Sequence, residues 1–199
     1  GISAVTATLS NSASQRVDTT FVADETTAEI TAGNLTVTTD NAIANGTATN
    51  AVQATVTDAN GNPVSGQAVS FSADNGAEVS TVIGTTGADG IATATLTNTV
   101  AGISAVTATL SNSASQRVDT TFVADDTTAE ITAGNLTVTT DNAIANGTAT
   151  NGVQATVTDA NGNPVSGQAV SFSADNGAEV STVIGTTGAD GIATATLTN

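Results

Sequence analysis

Short segments of the chain alternate between hydrophobic and polar residues. The clearest are VQATVTD beginning at Val52, AVSFSAD beginning at Ala68 and IATATLT beginning at Ile91. Because successive side chains of a β-strand point to opposite faces, this period of two predicts strands with one apolar and one hydroxylated face. Threonine fills many of the polar positions, and its β-branched side chain favours an extended backbone.

Turn signals separate these segments. Asn-Gly or Asp-Gly pairs, which supply the positive φ angles of tight turns, begin at Asn45, Asn60, Asn75 and Asp89. A weaker extended segment surrounds Glu29. The alternation and the turns together predict seven strands, at 35–39, 47–57, 67–73, 78–86, 91–97, 103–110 and 116–123. Seven turn-linked strands in about 100 residues are typical of an immunoglobulin-like β-sandwich.

The chain is an internal repeat. When Gly1 is aligned with Gly102, 98 positions pair as far as Asn199, and they differ only at Glu25 against Asp126 and at Ala51 against Gly152. The repeat unit is therefore 101 residues, and the segment 99–101 has no second copy in this sequence. A unit of this length can enclose a core of its own, whereas solenoid repeats of about 20 to 50 residues cannot. The pattern predicts a tandem array of domains.

Missing residue types exclude several classes of function. The sequence contains no Cys, so it has no disulfide, no thiol nucleophile and no zinc–thiolate site. It contains no His and no Lys, and it therefore lacks the commonest general base and the lysine of Schiff-base or phosphate-binding sites. We expect a protein that is not an enzyme and that has no catalytic residues and no organic cofactor.

Charge excludes nucleic acid as a partner. Arg16 and Arg117 are the only basic residues against 18 acidic ones, and the formal net charge is −16. Phosphates would be repelled by such a chain rather than neutralised. No segment has the length of uninterrupted apolar sequence that a membrane span requires, so we expect no membrane insertion by these residues.

Three stretches resemble a known family. They are LTVTTDNAIANGTATNAVQATVTDANGNPVSGQAVSFSADNGA, then TTGADGIATATLTNTVAGISAVTATL, and then the closing VDTTFVAD. Together they resemble the bacterial Ig-like domain, type 1, of the intimin and invasin adhesins. The resemblance implies an all-β fold of tandem immunoglobulin-like sandwiches, joined head to tail without a disulfide. It also implies an extracellular stalk on the bacterial surface, anchored in the outer membrane and carrying a receptor-binding tip, both through regions absent from this chain.

The resemblance also sets the domain boundaries. A repeat then begins near Glu25 and ends near Asp125, and connectivity agrees. If residues 1–24 folded back onto 25–98, three residues, which reach about 10 Å, would have to return along a sandwich about 30 Å long. Residues 1–24 are thus predicted to be the last two strands of one domain, 25–125 a complete domain, and 126–199 a domain without its last two strands. Open sheet edges at both ends predict either a longer array or strand exchange between molecules.

Two acidic features are candidate calcium sites. In DANGN, oxygen-bearing side chains alternate around a glycine, at Asp58, Asn60 and Asn62, as at the start of an EF-hand loop. The bidentate Glu and the flanking helices of an EF-hand are absent, so the sequence favours an Asx-stabilised turn stiffened by the following proline. The second candidate is the predicted joint between domains, at Asp24, Glu25, Asp125 and Asp126. These carboxylates either share a Ca²⁺ ion with Asp40 or Asp58 or are solvated linker charges, and the second interpretation is favoured.

Two functions remain open. In the first, the repeats are a structural spacer, whose partners are the neighbouring domains and which carries a distant receptor-binding domain. In the second, the repeats themselves are adhesive modules that bind a host cell, matrix or each other through multivalency. Exposed apolar residues such as Val82 and Ile83 are candidates for a contact patch in that case.

Overall fold

The computed structural model describes all 199 residues, and its only elements besides strands are two 3₁₀ turns of three residues each. The first seven strands are β1 (Ile2–Thr8), β2 (Ser14–Thr20), β3 (Leu35–Thr39), β4 (Ala42–Ile43), β5 (Asn50–Thr55), β6 (Val69–Ala73) and β7 (Glu78–Ile83). The remaining seven are β8 (Ile91–Thr97), β9 (Gly102–Leu110), β10 (Ser115–Val123), β11 (Leu136–Thr140), β12 (Asn151–Thr156), β13 (Glu179–Ile184) and β14 (Ile192–Thr198). The all-β prediction is confirmed.

Residues 1–24 form an isolated pair of strands, which we call the N-terminal hairpin. Strand β1 pairs antiparallel with β2, from Ile2 opposite Thr20 to Thr8 opposite Ser14, and neither strand pairs with any other. Every residue of both strands is exposed. The hairpin therefore keeps its local pairing without covering its apolar face.

The strands between residues 25 and 125 form two sheets that pack as a sandwich, which we call the central sandwich. One sheet has the order β3-β5-β8-β7, and the other has the order β4-β10-β9-β6. All neighbours are antiparallel except β4 and β10, which run parallel. Two four-stranded sheets with crossed-over connections are the arrangement of an immunoglobulin-like fold.

The alternating sequence explains the core of the central sandwich. Along β5 and β8 every second residue is buried, and the residues between them are half-exposed. The buried residues of both sheets form a single cluster of 16, filled mostly by Val, Ala and Leu, with Phe122 as its largest side chain. No buried side-chain nitrogen or oxygen atom lacks a hydrogen-bond partner. Small side chains thus hold the two sheets together without a disulfide.

The two-residue strand β4 was not predicted from the sequence. It depends on Asn50, whose side-chain Oδ1 accepts a hydrogen bond from the Ala42 N–H at 2.9 Å and whose Nδ2 donates to the Thr121 carbonyl at 2.9 Å. Asp40 adds a second link, since its carboxylate accepts from the Thr121 N–H at 2.7 Å and the Thr120 hydroxyl at 2.8 Å. The Thr121 N–H above all holds the pKa of Asp40 below its usual value, against the opposing effect of burial.

Other predicted strands were too long at their ends. The predicted segment 47–57 contains a strand only at Asn50–Thr55, and 78–86 contains one only at Glu78–Ile83. Beyond β5 the extended backbone continues, but Thr57 makes single bridges to Glu29 and Pro63 instead of joining the sheet. The weak extended segment near Glu29 is therefore not a strand but a single antiparallel bridge to Thr57.

Residues 126–199 contain one sheet, which we call the C-terminal sheet. Its order, β11-β12-β14-β13, repeats that of β3-β5-β8-β7 in the central sandwich, with the same registers. No strand covers its inner face. Residues 170–174 have the letters of β6 but are not a strand, because no counterpart of β9 lies beside them.

Candidate functional site at the joint between repeats

The DANGN loop is a turn organised by its aspartate. The carboxylate Oδ1 of Asp58 accepts hydrogen bonds from the backbone N–H groups of Asn60 and Asn62, each at 2.9 Å. Its Oδ2 accepts from the backbone N–H of Asp24 at 3.1 Å and from the Asn62 side-chain amide at 2.9 Å. Gly61 lies at φ +82°, where a β-carbon would be strained. The second copy repeats the arrangement around Asp159. The sequence-based interpretation of this segment as a turn agrees with this geometry.

These hydrogen bonds lower the pKa of both aspartates. The side-chain amide of Asn62 contributes most at Asp58, with the Asp24 N–H next, and the pKa falls from 3.8 to about 2. At Asp159 burial acts in the opposite direction and is the largest single influence. The hydrogen bonds from Asn163, Asp125 and Asn161 together outweigh it, so its pKa is also below the usual value. Donors that prefer the charged carboxylate thus stabilise the ionised form.

Acidification is expected to lower the melting temperature as Asp58 becomes protonated. Its pKa is lower in the folded chain than in the unfolded one, so its stabilising contribution is fully present above pH 3.8 and is lost as pH falls toward about 2. Thermal melts of the wild type and of Asp58→Asn across this range measure the effect. The variant should melt lower at neutral pH and lose less on acidification. If the melting temperatures of the two proteins fell equally with pH, the stabilising role assigned to the Asp58 carboxylate would be wrong.

In the second copy, the two asparagines of the loop bind the preceding sandwich. The side-chain Oδ1 of Asn163 accepts from the Ala101 N–H at 2.8 Å, and its Nδ2 donates to the Thr99 carbonyl at 3.0 Å. The Nδ2 of Asn161 donates to the carbonyl of Ala44 at 2.9 Å. The amide of Asn163 therefore pairs with a backbone segment as a neighbouring strand would, using both its donor and its acceptor.

The two copies of the loop provide an internal comparison. Asn62 is exposed in the first copy, where no sandwich body precedes it, whereas Asn163 is only 6% exposed. On the other side of the joint, Ala44 is fully buried while its counterpart Ala145 is exposed. Because the sequences around the two asparagines are the same, the difference between Asn62 and Asn163 reflects contact between the two repeats. Ala145 also lacks a strand beside it, whereas the Ala44 N–H donates to the Val123 carbonyl of β10 at 2.8 Å. The loop and the Ala44 and 99–101 segments are two halves of one joint.

The covalent connection at the joint is short. Strand β10 ends at Val123, and the next 3₁₀ turn is Asp126–Thr128, which Asp125 caps. Only Ala124 and Asp125 therefore connect the last strand of the central sandwich to the first turn of the next repeat. The Asp125 N–H is bound by Asp159 at 3.1 Å, which ties the connector to the loop that carries Asn161 and Asn163. A groove of about 460 Å³ lies beside it, and its lining residues come from both repeats: Ile43, Val123, Ala124, Asp126, Pro164, Val165, Ser166 and Ala189. Rotation about the joint is thus restrained on two sides.

The candidate calcium ligands at the joint have other partners. Asp24 Oδ1 accepts from the Thr26 N–H at 3.0 Å and the Thr26 hydroxyl at 2.6 Å. Asp125 accepts from Thr127 in the same way. These two aspartates cap the 3₁₀ turns, in which Glu25 and Asp126 occupy the first position. The structure contains no group of three or more acidic side chains placed to hold a metal ion. Calcium binding stays a hypothesis, which equilibrium titration with Ca²⁺ would test.

Sequence reasoning identified the turn and the position of the joint, but not the contacts that hold the joint. The contact from Asn163 to Ala101 spans 62 positions and that from Asn161 to Ala44 spans 117, so no local pattern reports them. One signal was available. Asp58 organises the turn through backbone N–H groups and the Asn62 side-chain amide, and DANGN carries one further amide, at Asn60, that the turn does not use. Such a surplus amide on an exposed loop indicates a contact outside it.

Comparison with known proteins gives matches over most of the chain. Residues 32–123 and 133–199 match the family described as bacterial Ig-like domain (group 1). The chain is 35% identical over 183 residues to the inverse autotransporter adhesin YeeJ of Escherichia coli (strain K12), which covers 86% of this chain and 7% of that protein. The chain therefore spans a small part of the adhesin that it resembles. In the chain described here, no helix could span a membrane.

Two solved structures share the fold. The crystal structure of invasin, a bacterial integrin-binding protein, aligns over the whole chain and 40% of its own length, with a TM-score of 0.62 and 27% identity. The structure of Yersinia pseudotuberculosis InvD aligns over 85% of this chain and 50% of its own, with a TM-score of 0.63. At 24% identity, that second likeness concerns the fold alone.

Proposed function

The chain belongs to the bacterial Ig-like domain (group 1) family, and on that premise we propose that its repeats are the structural stalk of a bacterial surface adhesin. The observation that carries this proposal is the joint. A connector of two residues and three hydrogen bonds from Asn161 and Asn163 hold consecutive repeats end to end. Such a joint restrains the direction of one repeat relative to the next, so that each repeat adds its length to the stalk.

In this proposal the unit of the stalk is 25–125, bounded by the two aspartates that cap the 3₁₀ turns. Residues 1–24 and 126–199 are then parts of neighbouring units, which agrees with the uncovered faces of the N-terminal hairpin and the C-terminal sheet. The stalk lies outside the cell, on the outer membrane, and its anchor and its receptor-binding domain belong to other parts of the adhesin. In this proposal the amides of Asn161 and Asn163 stabilise the joint, and the repeats perform no catalysis.

A second function, direct adhesion by the repeats, has one observation in its favour. Val82 and Ile83 are exposed on the edge strand β7, and Val183 and Ile184 are exposed to nearly the same extent on β13. A feature that recurs once per repeat would suit multivalent binding. The bulges within both strands disfavour the addition of a further strand there, because they interrupt the row of hydrogen-bonding groups at the edge.

A replacement experiment separates the two functions. In a full-length adhesin that carries these repeats, two units are exchanged for unrelated rod-like domains of similar length. A spacer predicts that cell adhesion is retained, and that it falls when the units are deleted without replacement. Loss of adhesion after the exchange, with surface display of the protein unchanged, would instead support binding by the repeats. Saturable binding of the purified chain to host cells would give the same conclusion.

A further inference from the structure

The chain enters and leaves the central sandwich at opposite ends of β10. At the entrance, just after the 3₁₀ turn Glu25–Thr27, the carbonyl of Ala28 accepts a hydrogen bond at 2.9 Å from the side chain of Asn112, which lies in the turn before β10. At the exit, β10 ends at Val123 and Ala124 leads into the next repeat. Tension between neighbouring repeats therefore acts along β10, which spans the sandwich from entrance to exit.

A short segment beside the end of β10 runs in the same direction as that strand. It contains β4, which pairs parallel with β10. The backbone N–H groups of Asn41 and Ala44 extend the pairing, since they donate to carbonyls of β10 at 3.0 and 2.8 Å. We call the contact between residues 40–44 and 120–123 the parallel clamp.

Tension pulls the two sides of the parallel clamp in opposite directions. Residues 40–44 continue from β3 and are connected to the entrance, whereas residues 120–123 are connected to the exit. Because the two segments run parallel, pulling on both ends of the unit slides one segment along the other. Hydrogen bonds between strands lie across the direction of sliding, so all of them are loaded together, whereas peeling breaks them one at a time. The parallel clamp is thus placed to resist tension.

Side chains reinforce the parallel clamp. One carboxylate oxygen of Asp40 accepts from the Thr121 N–H at 2.7 Å and from the Thr120 hydroxyl at 2.8 Å, and hydrogen bonds to a charged acceptor are stronger than neutral ones. Asn50 attaches the clamp to β5, because its amide donates to the Thr121 carbonyl and its oxygen accepts from the Ala42 N–H, both at 2.9 Å. Asn50 and Thr120 are fully buried, so water has little access to compete for these contacts.

We propose that the parallel clamp is the element that bears tension in each unit, and that Asp40 and Asn50 hold β10 in place while the stalk is pulled. The inference rests on the proposed stalk function, since a stalk that is anchored at one end and bound at the other carries tension along the chain. Every residue of the clamp lies within the central sandwich, and Asp141 and Asn151 recur at the corresponding positions of the second copy. Each complete unit of the stalk therefore has one clamp.

Pulling the full chain by its two ends with optical tweezers tests the proposal. Unfolding of the central sandwich releases about 100 residues, so an extension gain of about 300 Å identifies the event. At a constant force, Asp40→Ala should unfold at least about ten times faster than the wild type, because it removes two hydrogen bonds to a charged acceptor. Asp40 is exposed, so the variant should still fold, and the same extension gain shows that it has folded.

Two control variants separate the parallel clamp from overall stability. Val69→Ala shortens a side chain that is 5% exposed on β6, at the edge of the sheet opposite β4. It should lower the resistance to urea but leave the rate of unfolding under force within about twofold of the wild type, because β6 is still in place when the clamp breaks. Asp141→Ala removes the corresponding carboxylate of the second copy, which accepts only from the Asn142 N–H, at 2.8 Å, and it should unfold as the wild type does.

Two results would overturn the proposal. If Asp40→Ala unfolded under force at the wild-type rate, the parallel clamp would not carry the tension. If Val69→Ala unfolded under force as fast as Asp40→Ala, resistance to tension would follow overall stability and not the clamp. Neither result bears on the spacer function, which the exchange of repeats in a full-length adhesin tests separately, because a stalk with a weakened clamp keeps its length until it is pulled.

Discussion

Replacing Phe122 by alanine is expected to lower the free energy of unfolding of the central sandwich by about 3 to 5 kcal/mol. Phe122 is the largest fully buried side chain and is 1% exposed. It lies on β10, between β9 and β4, at the only place where this sheet has a parallel pair. The surrounding residues are mostly Val and Ala, which are too small to fill the cavity that the ring leaves. Urea denaturation followed by circular dichroism measures the loss.

The matched control is Phe21→Ala. Phe21 has the same neighbours in sequence but is 67% exposed, because no sheet covers the N-terminal hairpin. In dilute solution, this substitution should change the free energy of unfolding by less than about 0.5 kcal/mol. Equal losses at the two positions would mean that the hairpin packs on a body of its own, and the described fold of the first segment would then be wrong.

Replacing Asn163 by alanine is expected to free the joint between the repeats. The substitution removes the donor to Thr99 and the acceptor from Ala101, and it leaves these two backbone groups without partners at the interface. Thr99 is exposed and Ala101 is half-buried, so water can reach both freed groups and the loss is the net value of two hydrogen bonds, about 0.5 to 1.5 kcal/mol each. This loss weakens the docked arrangement relative to an open one. Small-angle scattering should show a broader distribution of interatomic distances, and proteolysis near Ala124 should become faster.

Asn62→Ala is the control for this change. Asn62 and Asn163 each donate a side-chain hydrogen bond at 2.9 Å to the aspartate of their own loop, at Asp58 and Asp159 respectively. Both variants lose that contact, but only Asn163→Ala also loses contacts to another repeat. The difference between the two variants therefore isolates the joint. If both variants scatter as the wild type does, the asparagine contacts do not hold the repeats in line.

Much of the fold was predictable because its signal is local. The alternation in IATATLT gives β8 at its observed bounds, and the turn pairs separate strands that the structure also separates. Strand β4 has no such signal, because two residues cannot show a period and its pairing depends on Asn50 and on β10, which lies about 70 positions further along the chain. The burial of Phe122 and the exposure of Phe21 likewise cannot be predicted from local sequence, because the same residues, VDTTFVAD, surround both phenylalanines.

The candidate site was predictable only in part, and for the same reason. Asp58 and its turn are local, since the carboxylate binds N–H groups two and four residues away. The role of Asn163 depends on a backbone segment in a different repeat, and the identical Asn62 shows that the letters alone do not determine the contact. Repetition itself was informative, because it predicted that a joint between domains exists, but it did not predict that residues 99–101 take part in it.

Small-angle scattering of the wild-type chain in dilute solution tests the central claim most directly. The N-terminal hairpin, the central sandwich with strands of up to about 30 Å and the C-terminal sheet with strands of up to about 23 Å, held end to end, predict a maximum dimension beyond about 60 Å. They also predict a radius of gyration well above the roughly 16 Å of a compact chain of this length. A radius of gyration near that compact value would contradict the account, because it would mean that the repeats fold back on one another rather than stack.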